Sequence, residues 1–171
     1  RHGEQPTAMA QKACAYLEKS LALSGPSPWT LNDYGTALAL HASIVRARHE
    51  DPERLFAAAM AAFRQAVALD DDYFLAHSNL SGWLQEWASW QLEQGRDPSE
   101  TLHSAVQSGE RAIQINAQHP LAYGNSGLAH IMLATWKLDH GQDGGTDAQA
   151  AVDRLQQLIQ RNPALLPAYA D

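Results

Sequence analysis

The sequence has 171 residues, of which 45% are hydrophobic and 18% charged, a length and composition that suit one folded domain and exclude a disordered chain. Twelve Lys and Arg against 19 Asp and Glu give a net charge of −7 with no basic patch, which argues against a nucleic-acid partner. No apolar run reaches the roughly 20 residues that cross a bilayer, so no membrane insertion is expected, and Cys14 as the lone cysteine forbids an internal disulfide and favours a reducing compartment such as the cytoplasm.

In chain order, residues 1–27 read as half a unit, a lone helix over about 2–24. A full unit over about 28–73 follows, with helices over roughly 31–48 and 52–69. The next unit, about 74–119, holds helices over roughly 74–94 and 98–115. The third, about 120–165, holds helices over roughly 121–140 and 146–160. Residues 166–171 form a stub that resembles the opening of a further unit, since Ala168-Tyr169 matches Ala122-Tyr123. The chain begins at Arg1 without an initiator Met, and the half unit and the stub read as parts of a longer protein.

The units are registered at 46 residues without a gap. Asp51-Pro52 recurs as Asp97-Pro98, and Asp143 keeps the third place. Asp70, Asn116 and Asn162 stand at the same interval, as do Ala59, Ala105 and Ala151, and Asp33, Asn79 and Asn125. Independent amphipathic helices would drift out of such a register. Each second helix has a start signal. Asp97 can cap free N–H groups, Pro98 suits the first helical position, and Glu100 can reach back. Gly144-Gly145 loosens the third loop and makes Thr146 the expected cap there. Phe56, Met60, Phe63 and Val67 lie at helical spacing, as do Leu102, Val106 and Ile113, and Val152, Leu155 and Ile159.

These residues resemble the tetratricopeptide (TPR) repeat family, with a unit longer than the usual of about 34 residues. The family's Asn-Leu-Gly-like segment is matched by Asp33-Tyr34-Gly35, Asn79-Leu80-Ser81 and Asn125-Ser126-Gly127. Its small residue early in the second helix matches Ala59, Ala105 and Ala151, and the large residue after it matches Phe63 and Leu155, whereas Gly109 departs. The resemblance implies an all-α fold, a right-handed α-solenoid of antiparallel helix pairs. Long units with Gly-x-Asp-Pro loops are similar to C-terminal regions of some bacterial serine/threonine kinases and signalling proteins.

The resemblance also implies a binding face on the first helix of each unit. Carried over by position, it comprises Trp29, Asn32, Thr36, Ala39 and Leu40, then Leu75, Ser78, Gly82, Gln85 and Glu86, then Leu121, Gly124, Leu128, Ile131 and Met132. This lining is mostly neutral and grows apolar toward the C-terminus. It lacks the Lys and Arg of the family's carboxylate clamp, so an apolar or helical protein segment is the expected occupant. The competing expectation is that these residues pack on neighbouring helices. A regulatory module of a larger signalling enzyme and a self-association module are the alternative functions.

Nothing in the sequence points to catalysis. Trp83, Trp87 and Trp90 form one stripe that coincides with apolar Ile44 and Leu133 in other units, so packing is expected before a cation cage. His41, His49, His77, His103, His119, His130 and His140 show no metal-ligand spacing. Asp70-Asp71-Asp72 reads as a helix-capping run rather than a calcium loop. No phosphate loop, nucleophile elbow or paired carboxylates stand out, so neither cofactor nor metal is expected.

Overall fold

The computed structural model describes residues 4–162, with side chains from residue 6 onward. The stub at 166–171 lies outside them. The described chain forms seven α-helices joined by short loops: α1 (Glu4–Ser24), α2 (Pro28–Ala47), α3 (Glu53–Leu69), α4 (Phe74–Glu93), α5 (Ser99–Ile115), α6 (Pro120–Asp139) and α7 (Gly145–Arg161). There is no strand among the described residues.

The sequence period is also the period of the helices. α2, α4 and α6 each have 20 residues and start at 28, 74 and 120. α3, α5 and α7 each have 17 residues and start at 53, 99 and 145. The tight loop between them repeats in its backbone. His49, Gly95 and Gly141, again 46 apart, all take positive φ, at 60°, 66° and 69°. Glycine enters that region without penalty, whereas His49 does so against the clash of its Cβ. One step on, Asp51, Asp97 and Asp143 each accept the backbone N–H two residues later, at 2.9, 2.8 and 2.8 Å. These aspartates therefore stand one residue outside the helix as side-chain turns, and Pro52, Pro98 and Gly144 hold the N-cap position. Thr146 is inside α7, not its cap. α2 begins at Pro28, earlier than Leu31, because the Ser27 hydroxyl accepts the Thr30 N–H at 3.1 Å and Pro28 opens the helix.

Each helix packs on the next in sequence. Beyond that, the backbone of α2 approaches that of α4 and the backbone of α4 that of α6, while no two odd-numbered backbones come as close among the described residues; α7 reaches α5 only through long side chains, Arg154 to Glu110. One buried cluster reaches from α1 to α6. Cys14, Leu38, Met60, Phe63, Leu80, Leu84 and Ala129, contributed by α1 to α4 and α6, belong to it. Phe56, Met60 and Phe63 of α3 are fully buried, with Ala59 and Ala66 between them allowing close approach. Removing their apolar surface from water stabilises the fold by about 1.5–3 kcal/mol per large side chain.

Candidate partner-binding face

The even-numbered helices meet through an amide ladder. Asn79 Nδ2 donates to Asn32 Oδ1 at 2.9 Å, tying α4 to α2. Asn125 Nδ2 donates to the Ser78 carbonyl at 2.8 Å, and Gln85 Nε2 donates to the Asn125 carbonyl at 3.0 Å, tying α6 to α4. Asn32, Ser78 and Gln85 are consequently buried. The sequence placed them on a ligand-facing surface; in the fold they hold the helices to one another. Ala39 is buried as well.

The other expected face residues are at or near the surface. Trp29 is 58% exposed, Leu40 50%, Leu121 44%, Leu128 50% and Ile131 40%. Glu86 is also exposed, and Thr36, Leu75, Gly82, Gly124 and Met132 are half-buried. α2 and α6 thus carry the exposed apolar side chains, and α4 runs between them. At the junction of α4 and α6, Asn79, Gly82, Trp83, Glu86, Leu121 and Asn125 line an open cleft of about 280 Å³.

The tryptophan stripe is engaged in packing. Trp90 is buried against Ala42 and Phe56, and Trp87 stacks on Phe56 with ring centroids 6.4 Å apart. Arg96 covers the Trp90 ring at 4.9 Å while binding Glu53 at 2.7 Å. Trp136 packs with the α5–α6 cluster and stacks on His140.

A second polar assembly lies between α5, α6 and α7, and sequence reading missed it. His130 is buried with Nδ1 3.1 Å from Asp147 Oδ1 and Nε2 3.5 Å from Glu110 Oε1. Arg154 binds Glu110 through two nitrogens at 2.7 and 2.5 Å, Ser126 Oγ donates to Glu110 Oε1 at 2.5 Å, and Lys137 Nζ meets Asp147 Oδ2 at 2.6 Å. Burial pushes the Glu110 carboxyl up, but hydrogen bonds from His130, Arg154 and Ser126 outweigh it and hold the group well below the usual carboxylate range. The Glu110 hydrogen bond lifts His130 above its ordinary value, against the pull of burial and with help from Asp147. Burial likewise raises Asp147, and Lys137 and His130 more than reverse it. The signal that would have found this network is the repeat itself. His130 stands where earlier units have Leu38 and Leu84, and Arg154 where they have Ala62 and Ser108. Its members are satisfied by one another, and His130 and Asp147 are buried, so it fastens the three helices together, while Glu110 also lines a cleft that it shares with His77 and Arg111.

His77 lies in a separate group. Burial lowers its affinity for a proton, although Asp71 stands 3.4 Å from Nε2. Arg111 binds Asp71 and, at 3.2 Å, Asp72, tying α5 to the loop before α4.

No described helix is long and apolar enough to cross a membrane. No family model matches the chain, and no curated protein is significantly similar to it. What the fold defines is an all-helical protein of neighbouring packed helices, compatible with a helical repeat.

Proposed function

We propose that the chain is a TPR-like right-handed solenoid and a protein-interaction scaffold, with a partner segment laid along α2, α4 and α6. The closer backbone approach of even helices than of odd ones supports this shape: the even side is the shorter one, so the layer of helices curves around it. The observation that carries the functional reading is the set of exposed apolar side chains on that side, Trp29, Leu40, Leu121, Leu128 and Ile131. Large apolar side chains left exposed on one side of a helical layer suit an interaction site, and grooves between helices accept amphipathic segments. The binding residues are Trp29, Thr36, Leu40, Leu75, Glu86, Leu121, Leu128, Ile131 and Met132. Asn32, Ser78 and Gln85 set the helix spacing beneath them.

The test is capture of a partner by the wild type and by a Leu75→Glu, Leu128→Glu, Met132→Glu variant shown by circular dichroism to be folded. Hydroxyl-radical footprinting of the captured complex then maps the contact. Loss of capture in the variant, with protection of Trp29, Leu121 and Leu128 in the wild-type complex, supports the scaffold reading. Equal capture by both proteins, or protection confined to the odd helices, defeats it.

A self-association module is the second reading, and one comparison favours it. Ile131 is exposed where its equivalents Ala39 and Gln85 are covered by the next even helix, and Val152 is 48% exposed where Met60 is fully buried. Leu128, Ile131 and Val152 would then be a stacking surface. Sedimentation discriminates: a concentration-dependent oligomer abolished by Ile131→Glu and Val152→Glu supports this reading, and a monomer at all concentrations rejects it.

A further inference from the structure

The binding face proposed above has a chemically distinct middle. Trp29 and Leu40 on α2 and Leu121, Leu128 and Ile131 on α6 are apolar, whereas α4 between them presents Gly82 and Glu86 beside Trp83. The cleft of about 280 Å³ opens here because residue 82 has no side chain. A Cβ at Gly82 would stand 3.4 Å from Asn125 Nδ2, and anything larger would fill the space.

The side-chain oxygens in this cleft are largely unused acceptors, set beside the Trp83 indole N–H and one N–H of Asn79. Asn79 and Asn125 spend their amide nitrogens on the ladder to α2 and α4, which leaves both side-chain oxygens without a bond among the described residues. Glu86 gives one oxygen, Oε2, to Arg46 Nη1 at 3.1 Å. That single guanidinium also binds Glu93 through Nε at 3.1 Å and Nη2 at 2.5 Å, so two carboxylates share one cation and a negative charge remains. Across α2, α4 and α6 the acidic residues are Asp33, Glu86, Glu93 and Asp139, and the Lys and Arg residues are Arg46 and Lys137. Both of those cations are held in ion pairs. An anionic ligand would find its charge opposed on this surface, and a cationic one would find it matched.

Resting on the binding face proposed above, we infer that the cleft of Asn79, Gly82, Trp83, Glu86, Leu121 and Asn125 receives one basic side chain of the partner, set between two apolar anchors that seat on α2 and α6. The methylene stem of a lysine or arginine packs against Leu121 and the Trp83 indole, and its head meets Glu86 and the two amide oxygens. The occupant is therefore an amphipathic segment of apolar–basic–apolar pattern.

A random-peptide display library selected on the immobilised full chain tests this. Enriched peptides are synthesised, and their affinities for the wild type and for Leu128→Glu, Glu86→Gln and Asp139→Asn variants of confirmed helicity are measured by fluorescence anisotropy. The expected peptides carry Lys or Arg between apolar residues and lose about tenfold or more on Leu128→Glu. Replacing the basic residue by glutamine, or Glu86 by Gln, weakens binding about three- to tenfold, and the two losses do not add. Asp139→Asn removes the same charge at the far end of α6 from the cleft and has a smaller effect. Peptides that need Leu128 but lack a basic residue, or that respond equally to Glu86→Gln and Asp139→Asn, overturn the basic-residue assignment and leave the binding face standing. Failure to obtain any peptide sensitive to Leu128→Glu overturns the binding face, and this inference with it.

Discussion

Gly109 stands where the first unit has Phe63 and the third has Leu155, and in sequence it is only a departure from pattern. The structure shows where the bulk went. Gly35 lies under Phe63, where a Cβ would be 3.0 Å from the ring, and Gly127 lies under Leu155, where a Cβ would be 2.9 Å from Cδ2. In the middle unit the pairing is inverted: the even helix carries Ser81 and the odd helix carries the glycine. A Cβ at Gly109 would come within 2.9 Å of Ser126 Cα and 3.0 Å of Ser81 Oγ. Because a backbone atom is the obstacle, the helices must move apart to admit it. Gly109→Ala is expected to destabilise by about 1–3 kcal/mol despite its better helix propensity. A urea midpoint at or above that of the wild type would show that α5 and α6 have room to spare.

Among the elements, α7 is attached differently from its equivalents. α3 fully buries large apolar side chains, whereas the buried residues of α7 are Asp147 and Ala151, with Leu155 half-buried against Gly127. Charge takes the place of that core, through His130, Glu110, Asp147, Arg154 and Lys137. The pH dependence follows from the directions of the shifts. His130 is raised above 6.5 in the folded protein, so its contribution is complete below that value and is lost as pH rises through the folded one. Glu110 and Asp147 are depressed from 4.5 and 3.8, so theirs is present above those values and is lost as pH falls through the folded ones. The network is strongest between about 4.5 and 6.5. His41 and His77, both lowered chiefly by burial, pull against folding in acid and must be cancelled out. Comparison with His130→Leu does so, since that variant keeps both and restores the leucine of the other units. The stability advantage of the wild type over this variant should shrink as pH rises from about 6 to about 8.5. Urea unfolding across that range checks it, and an advantage that stays constant with pH would remove His130 from the linkage.

For the whole molecule, the contact pattern ranks the helices. The backbone of α4 packs against α2, α3, α5 and α6, whereas that of α1 packs against α2 alone and that of α7 against α6 alone, with the Arg154–Glu110 ion pair as its tie to α5. In a linear array each end has one neighbour to hold it, so ends open at lower free energy than the middle. Native-state hydrogen exchange should find the slowest amides in α4 and the fastest helical amides in α1 and α7. Exchange of α7 at the rate of α4 would mean that the chain opens as one cooperative unit.

The same contrast separates what was legible in the sequence from what was not. The 46-residue register of Asp51, Asp97 and Asp143 located the paired helices, because turns, caps and helix periodicity depend on residues a few places apart. The all-helical class and the spacing of the elements were determined at that level. The misplaced starts at Leu31 and Thr146 were cap chemistry at Ser27 and Gly144 that remained local but was misread. Tertiary structure alone decided which side of each helix is covered. Asn32, Ser78 and Gln85 are polar residues on the expected face yet are buried by partners roughly 40 residues or more away, while Leu128 and Ile131, more apolar, stay exposed. The His130 network likewise joins three helices, and no window of sequence contains it. Burial is a property of the neighbour as much as of the residue, and the neighbour is supplied only when the chain folds back on itself.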